Sequence, residues 1–254
     1  MSGFRAYCDF SELCEGGEIP VGGSVELNAA ESRHLCGSLR ARAGDIVDVF
    51  DAKGNAYRCE LAEASSKSAA LRVIGRLYPK SPDVEVYLAQ CLPKGSAFDE
   101  IIRQSVELGV SGIYPLMSCR SVVRIGRADA EKKSAKWFEK YVEAIKQSSN
   151  LSKFEMPLVS DLSDFLSNSG GFGVKLVASL RANASPIYKV LTSAGVDFAK
   201  SACVLIGPEG DLSDAEYDAA ERAGFIPVKL GDNVMKCDTA AACALSVLKA
   251  FWQK

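Results

Sequence analysis

Histidine is almost missing from this chain, with His34 alone, and none of its nine cysteines forms a Cys-x-x-Cys pair. Zinc ligation by cysteine and histidine therefore lacks its usual spacing, and a Ser-His-Asp triad could draw only on His34. An odd, scattered set of cysteines supplies no disulfide framework; it reads as small buried hydrophobes in a reducing compartment. No stretch approaches the roughly 20 apolar residues that cross a bilayer. The opening Met1-Ser2-Gly3-Phe4-Arg5 has no apolar core of a signal peptide. The expectations are a cytoplasmic protein, no membrane and no metal. A Gly-x-Gly-x-x-Gly after the first strand of the α/β half, a Gly-Lys-Ser/Thr phosphate loop and a Gly-x-Ser-x-Gly elbow are also missing, which weakens the common α/β enzyme classes.

What is present is the composition of a globular protein. The chain has 254 residues, 48% apolar and 24% charged, enough for one large domain or two ordinary ones. Its net charge of −2 does not point to a nucleic-acid partner. The charge is uneven, however. Between Arg120 and Lys153 nine basic residues (Arg120, Arg124, Arg127, Lys132, Lys133, Lys136, Lys140, Lys146, Lys153) stand against four acids (Asp129, Glu131, Glu139, Glu143). Such a run can neutralise phosphates, or simply be a solvated helix face.

Two textures follow one another. Up to about Leu77 the segments are short and β-like: Ser24-Val25-Glu26-Leu27, Ile46 to Phe50, Ala56 to Leu61 and Ala69 to Ile74, with a hairpin turn at Lys53-Gly54-Asn55 and one helix near Ala30 to Leu39. Closely spaced short strands imply a small β-barrel over residues 1–77. Tyr78-Pro79-Lys80-Ser81-Pro82-Asp83 reads as a linker, because two prolines remove donors and favour extended chain. Residues 84–254 then alternate strand and helix. Strands are expected at Val84 to Ala89, Ile113 to Leu116, Val174 to Ala178, Ala202 to Ile206 and Pro227 to Leu230. Helices are expected at Ala97 to Leu108, Lys132 to Gln147, Ser213 to Ala223 (with a Ser213/Glu216 capping box) and Thr239 to Phe251. This alternation predicts an α/β fold with a mostly parallel sheet and crossover helices.

Two segments carry the chemistry. Leu205-Ile206-Gly207-Pro208-Glu209-Gly210-Asp211 joins a buried strand to a capped helix. Val228-Lys229-Leu230-Gly231, followed by Asp232 to Ala240, repeats the form before the alanine-rich Ala240 to Ala244. Glycine at a strand end lets a ligand approach bare backbone, and a helix start offers unpaired N–H groups. Ligands of α/β sheets sit at these carboxyl ends. Each segment alone is equally an ordinary strand–helix turn. Two in succession could wall one small-molecule pocket.

Taken in order, Gly207-Pro208-Glu209-Gly210, Leu230-Gly231 and Met235-Lys236-Cys237-Asp238-Thr239-Ala240 resemble the three cofactor-loop motifs of the RsmE-type ribosomal RNA uridine methyltransferases of the SPOUT class. Leu92-Pro93-Lys94-Gly95 is similar to that family's Pro-Lys-Gly turn, Gln104 to Val110 to its Glu-Leu-Gly-Val helix end, and Glu143 to Ser148 to its Glu-Ala-x-x-Gln stretch. His34 to Arg40 resembles the His and Arg of its small RNA-binding barrel, and Arg5 matches an N-terminal arginine. The resemblance spans nearly the whole chain. It departs at Asp211, where the family has glycine, at Lys236 for arginine, at Asp238 for glutamate, and after Gln147, where Ser148 follows and a nearby arginine is missing.

The resemblance implies a PUA-like β-barrel joined to a SPOUT-type parallel sheet with a C-terminal trefoil knot. It implies a homodimer that uses S-adenosylmethionine to methylate uridine N3 in 16S ribosomal RNA or the small ribosomal subunit. Ile206, Gly207, Gly210, Leu230, Gly231, Val234, Met235, Lys236, Thr239 and Ala240 would hold the cofactor. Lys236, or an arginine from the other domain, would stabilise the uridine anion, and Glu209 or Asp238 would be the base. Arg5, Arg33, His34, Arg40, Arg42, Lys94 and Arg120 would bind RNA, with Arg33 and Arg40 on one helix face by their seven-residue spacing. The departures leave two alternatives: a non-catalytic RNA-binding or assembly factor with the same fold, and a SPOUT methyltransferase with a different RNA target.

Overall fold

The computed structural model describes residues 3–12, 18–193 and 196–253. Met1, Ser2 and Cys14 lie outside the described residues, as does the side chain of Arg127 in the basic run. The chain forms two compact units, Met1–Ser81 with Ser149–Phe154, and Pro82–Ser148 with Glu155–Lys254.

The first unit is a curled five-stranded sheet in the order β1-β3-β4-β5-β2: β1 (Phe4–Tyr7), β2 (Ser24–Glu26), β3 (Ile46–Phe50), β4 (Ala56–Glu63) and β5 (Ala70–Leu77). β1 runs parallel to β3, and the other neighbours are antiparallel. Alternation sends Val47, Val49, Tyr57, Cys59, Leu71 and Val73 into one core. Cys59 behaves there as a small hydrophobe: burial first, then the Asp48 charge, pushes its thiol up to about 12. The β3–β4 hairpin is held by Asp51, whose Oδ1 accepts from the Lys53 and Asn55 N–H groups, both at 2.8 Å. Gly54 supplies the left-handed φ of 87° that the turn needs. The return segment Ser149–Phe154 joins this hairpin through the Phe154 N–H, which donates to the Ala52 carbonyl at 3.1 Å. Strand β1 was not legible as one, because four residues carry too little alternation.

The expected helix at Ala30 to Leu39 needs correction. It is α-helical only over α1 (Ala29–Ser32), capped by the Asn28 side chain, and widens into a π-helix over Arg33–Ser38. The Leu39 N–H donates to the His34 carbonyl, and Arg40 follows with φ 58°. Arg33 and Arg40 therefore do not share a helix face: the wider turn changes the spacing, and a left-handed residue redirects the chain.

The second unit is an all-parallel seven-stranded sheet in the order β10-β12-β9-β11-β6-β7-β8. Its strands are β6 (Glu85–Cys91), β7 (Gly112–Met117), β8 (Ser160–Asp161), β9 (Val174–Ala178), β10 (Ser185–Pro186), β11 (Ser201–Ile206) and β12 (Ile226–Lys229). Its helices are α2 (Ala97–Glu107), α3 (Arg127–Ser148), α4 (Leu162–Ser167), α5 (Ile187–Leu191), α6 (Asp214–Arg222) and α7 (Cys237–Trp252). The near-continuous apolar runs of β6 and β11 fit central strands covered on both faces. On one face, Phe165 of α4 and Tyr217 and Ala220 of α6 pack over Ala89, Cys203 and Leu205. On the other, α7 lies on β6 and β11 beside α2, and α3 packs on α2 with Phe98 and Trp137 in edge contact at 4.6 Å. Ala240, Ala241 and Ala244 are the buried side of α7, small enough for close approach to the sheet. The short β8, β10, α4 and α5 were not foreseen, since none is long enough to show a period.

Among the described residues, no helix is long and apolar enough to cross a membrane, and no group of His, Cys, Asp and Glu could hold a metal ion.

Candidate active site

The strand order sets the carboxyl ends of β9, β11 and β12 side by side. A pocket of about 320 Å³ opens there, a size suited to a small molecule. The end of β11 contributes Ile206, Gly207, Pro208, Glu209 and Asp211. The end of β12 contributes Lys229, Leu230, Gly231, Asn233, Val234 and Met235. Lys236, Cys237 and Ala240 come from the start of α7, Tyr217 from α6, and Ala178, Ser179 and Leu180 from the end of β9. Gly207 and Gly231 are tight as well as open to the pocket: a Cβ would sit 3.4 Å from Leu212 and 3.1 Å from the Met235 Cε.

The β11–α6 loop is braced on every side. The Lys94 backbone N–H donates to Glu209 Oε1 at 2.9 Å. The Asp211 N–H donates to the Pro208 carbonyl at 2.9 Å, closing a turn. The Arg120 guanidinium donates to the Gly210 and Leu212 carbonyls at 3.1 and 3.3 Å. The capping box of α6 forms as expected, with Ser213 and Glu216 exchanging hydrogen bonds. Glu216 also accepts from the Cys119 N–H at 2.6 Å. Burial works to raise the Glu216 carboxyl, but the hydrogen bonds from Cys119 and Ser213 outweigh it and leave it lowered.

The other wall is simpler. Lys236 is the N-cap residue of α7, and its carbonyl accepts from the Ala240 N–H at 2.8 Å. Its side chain is exposed and has no ion-pair partner among the described residues. The Cys237 thiol donates to the Gly207 carbonyl at 3.4 Å, joining the two walls. Burial, then the Glu209 charge, pushes that thiol up to about 11, so it is no thiolate nucleophile at neutral pH.

Most residues expected to hold a cofactor line this pocket. Gly210 and Thr239 do not, nor does Asp238, one of the two candidate bases. Gly210 faces Arg120, whose Cβ a glycine Cβ would meet at 3.4 Å. Asp238 Oδ1 accepts from the Thr239 N–H at 2.8 Å, within the first turn of α7. Of the residues expected to bind RNA, Lys94 is exposed beside Glu209, and Arg120 is engaged with loop carbonyls. In the first unit Arg33, Arg40 and Arg42 are exposed, whereas Arg5 and His34 are half-buried. Sequence reasoning missed Ala178, Ser179, Leu180 and Tyr217. No glycine follows β9, and only the sheet order brings its end to the pocket.

An RNA methyltransferase domain matches residues 79–249, two thirds of the chain. The chain belongs to the RNA methyltransferase family. A match to an RNA methyltransferase PUA domain covers residues 27–74 of the same chain. Ribosomal RNA small subunit methyltransferase E of Bacillus subtilis is 27% identical over 91% of each chain. The protein of that name from Mesomycoplasma hyopneumoniae is 30% identical over 75% of this chain and 79% of its own. Two solved structures cover 98% of both chains. One is a methyltransferase of Legionella pneumophila with bound S-adenosylmethionine (26% identical, TM-score 0.85). The other is ribosomal RNA small subunit methyltransferase E of Neisseria gonorrhoeae, also bound to S-adenosylmethionine (25%, 0.84). The fold of this RNA methyltransferase is accordingly a SPOUT-type α/β domain preceded by a PUA-like unit.

Proposed function

We propose that this RNA methyltransferase transfers a methyl group from S-adenosylmethionine to N3 of a uridine in 16S ribosomal RNA. The observation that carries the reading is the pocket at the carboxyl ends of β9, β11 and β12, lined by both glycine-bearing loops. Its residues fit the cofactor. Ile206, Leu230, Val234 and Ala240 offer apolar walls, and Gly207 and Gly231 leave backbone open where a side chain would intrude. When bound, S-adenosylmethionine supplies a methyl group already activated on a sulfonium.

The protein's share of the work is alignment and help with the N3 proton. Lys236, exposed at the pocket and without an ion-pair partner among the described residues, stabilises the developing uridine anion. Glu209, whose Oε1 is taken by the Lys94 N–H, orients the loop. Asp238, two residues from Lys236, is the base; its Oδ2 remains available after Oδ1 caps the Thr239 N–H. Arg5, Arg33, His34, Arg40, Arg42 and Lys94 bind RNA phosphates, and Arg120 serves the loop first. The active unit is a cytoplasmic homodimer acting on ribosomal RNA or the small subunit. A C-terminal trefoil knot belongs to the same proposal.

The test is calorimetry with S-adenosylmethionine, followed by mass-spectrometric mapping of methyluridine in ribosomal RNA treated with the protein. The expected result is micromolar binding and one N3-methylated uridine. Absence of binding in the wild-type protein would sink the reading and promote a non-catalytic RNA-binding factor, the alternative that the departures at Asp211, Lys236 and Asp238 motivate.

A further inference from the structure

Asp211 stands where the resembled family has glycine, and its backbone keeps the left-handed conformation that glycine adopts freely, with φ 60°. Aspartate tolerates this region at some cost, so a side-chain return is expected. Two such contacts are present. Oδ1 accepts from the Leu212 N–H at 2.8 Å and from the Tyr217 hydroxyl at 2.6 Å. The Ala178 carbonyl lies 3.3 Å from the same hydroxyl. Asp211, Tyr217 and Ala178 all line the pocket, and they belong to three different elements: the β11–α6 loop, α6 and the end of β9.

Tyr217 has little freedom to leave. It is 2% exposed, and the Arg181 guanidinium lies over its ring at 5.5 Å. Arg181 is itself held by Asp218 at 3.0 Å and Glu221 at 3.4 Å, so it does not compete for Asp211. Burial, then the hydrogen bond to Asp211, raises the Tyr217 hydroxyl, which keeps it a donor at any physiological pH.

We infer that Asp211 and Tyr217 form a positioning pair: a carboxylate–hydroxyl pin that presets the Gly207–Leu212 loop for S-adenosylmethionine, in place of a family glycine. The inference rests on the cofactor reading above, but its geometry does not. In a glycine-bearing loop the turn is reached by backbone freedom and must be ordered on binding. Here the pin orders it beforehand, so less affinity is lost on association.

The test uses the full chain and four variants: Asp211→Asn, Asp211→Gly, Tyr217→Phe and the Asp211→Gly/Tyr217→Phe double. S-adenosylmethionine affinity is measured by calorimetry, and amide exchange is followed at Leu212. Tyr217→Phe and Asp211→Gly should each weaken binding about tenfold, the scale of one charge-assisted hydrogen bond. Asp211→Asn keeps an acceptor and tolerates the same φ, so it should retain most of the affinity. The double variant should bind no worse than Asp211→Gly, because both changes remove one interaction. Exchange at Leu212 should speed up in Tyr217→Phe with or without cofactor. Wild-type affinity in both single variants, or losses that multiply in the double, would overturn the pin. If the wild-type protein binds no cofactor, the cofactor reading falls, and unchanged exchange at Leu212 in Tyr217→Phe would still overturn the pin.

Discussion

The two walls of the pocket are built differently. The β11–α6 loop is tied by side chains from four directions, through Glu209, Asp211, Arg120 and Glu216. The β12–α7 loop has a surface ion pair between Lys229 and Asp232 and the Cys237 contact to Gly207, and its Val234 is 78% exposed. Both follow a glycine-bearing strand end of the same form. The first wall carries several side-chain ties, whereas the second carries few and leaves Val234 in solvent. More ties on one side leave less of that loop to be ordered when a ligand binds than on the other.

The largest expected effect comes from filling the open wall. Gly231→Val should weaken S-adenosylmethionine binding about a hundredfold, near 2.7 kcal/mol, while the melting temperature hardly moves. A variant that binds normally would show that the pocket wall lies elsewhere. Next, Glu209→Ala removes the acceptor of the exposed Lys94 N–H, and the net loss of one such bond is about 0.5–1.5 kcal/mol. Cofactor affinity should fall roughly tenfold, and a loss of turnover with unchanged affinity would instead favour Glu209 as the base.

Glu216→Gln tests the brace at the helix start. The folded carboxyl is lowered, so its contribution is full above the ordinary value of 4.5 and is lost as pH falls through the folded value. The variant should be about 1 kcal/mol less stable in urea titrations at pH 7, the scale of a capping interaction. The gap should close as pH falls below 4.5 and through the folded value, where the wild type loses the same interaction; a gap that stays constant with pH would refute this account. Arg120→Ala separates loop support from RNA contact. If the guanidinium serves the loop, cofactor affinity drops about threefold and the salt dependence of RNA binding keeps its slope; loss of one unit of slope would return Arg120 to the phosphate contacts. The smallest effect is Val234→Ser, expected within about 0.5 kcal/mol of wild-type stability because the side chain is already in solvent. A larger cost would mean the open wall is packed in the free protein.

Much of this fold was legible in the chain. The apolar runs at Val174 to Ala178 and Ala202 to Ile206 became central strands, and Ser213 with Glu216 capped α6 as read. What failed were short or irregular pieces: β1, β8, β10 and the π-helical turn at Arg33–Ser38. Four residues cannot display a period, and a π turn follows the i+3/i+4 rule poorly. In the pocket lining, Gly207 and Gly231 were legible because a glycine at a strand end has a backbone meaning, and Leu230 and Met235 came with the segment around Gly231. Tyr217 was not, since its ring reads as ordinary helix core until Asp211 is seen beside it.

By itself, the sequence determined where strands end in glycine, where helices are capped and which residues could approach a ligand, because these are local properties of φ, hydrogen bonding and apolar period. Only the tertiary structure decided which strand ends meet. The order β12-β9-β11 brings Ala178 to Leu180 into a pocket whose other walls lie tens of residues away in the chain, and it puts Arg120 and Lys94 against the β11–α6 loop. Sheet order is a long-range packing outcome. No local pattern encodes which neighbour a parallel strand will choose, and with it which side chains will face the same cavity.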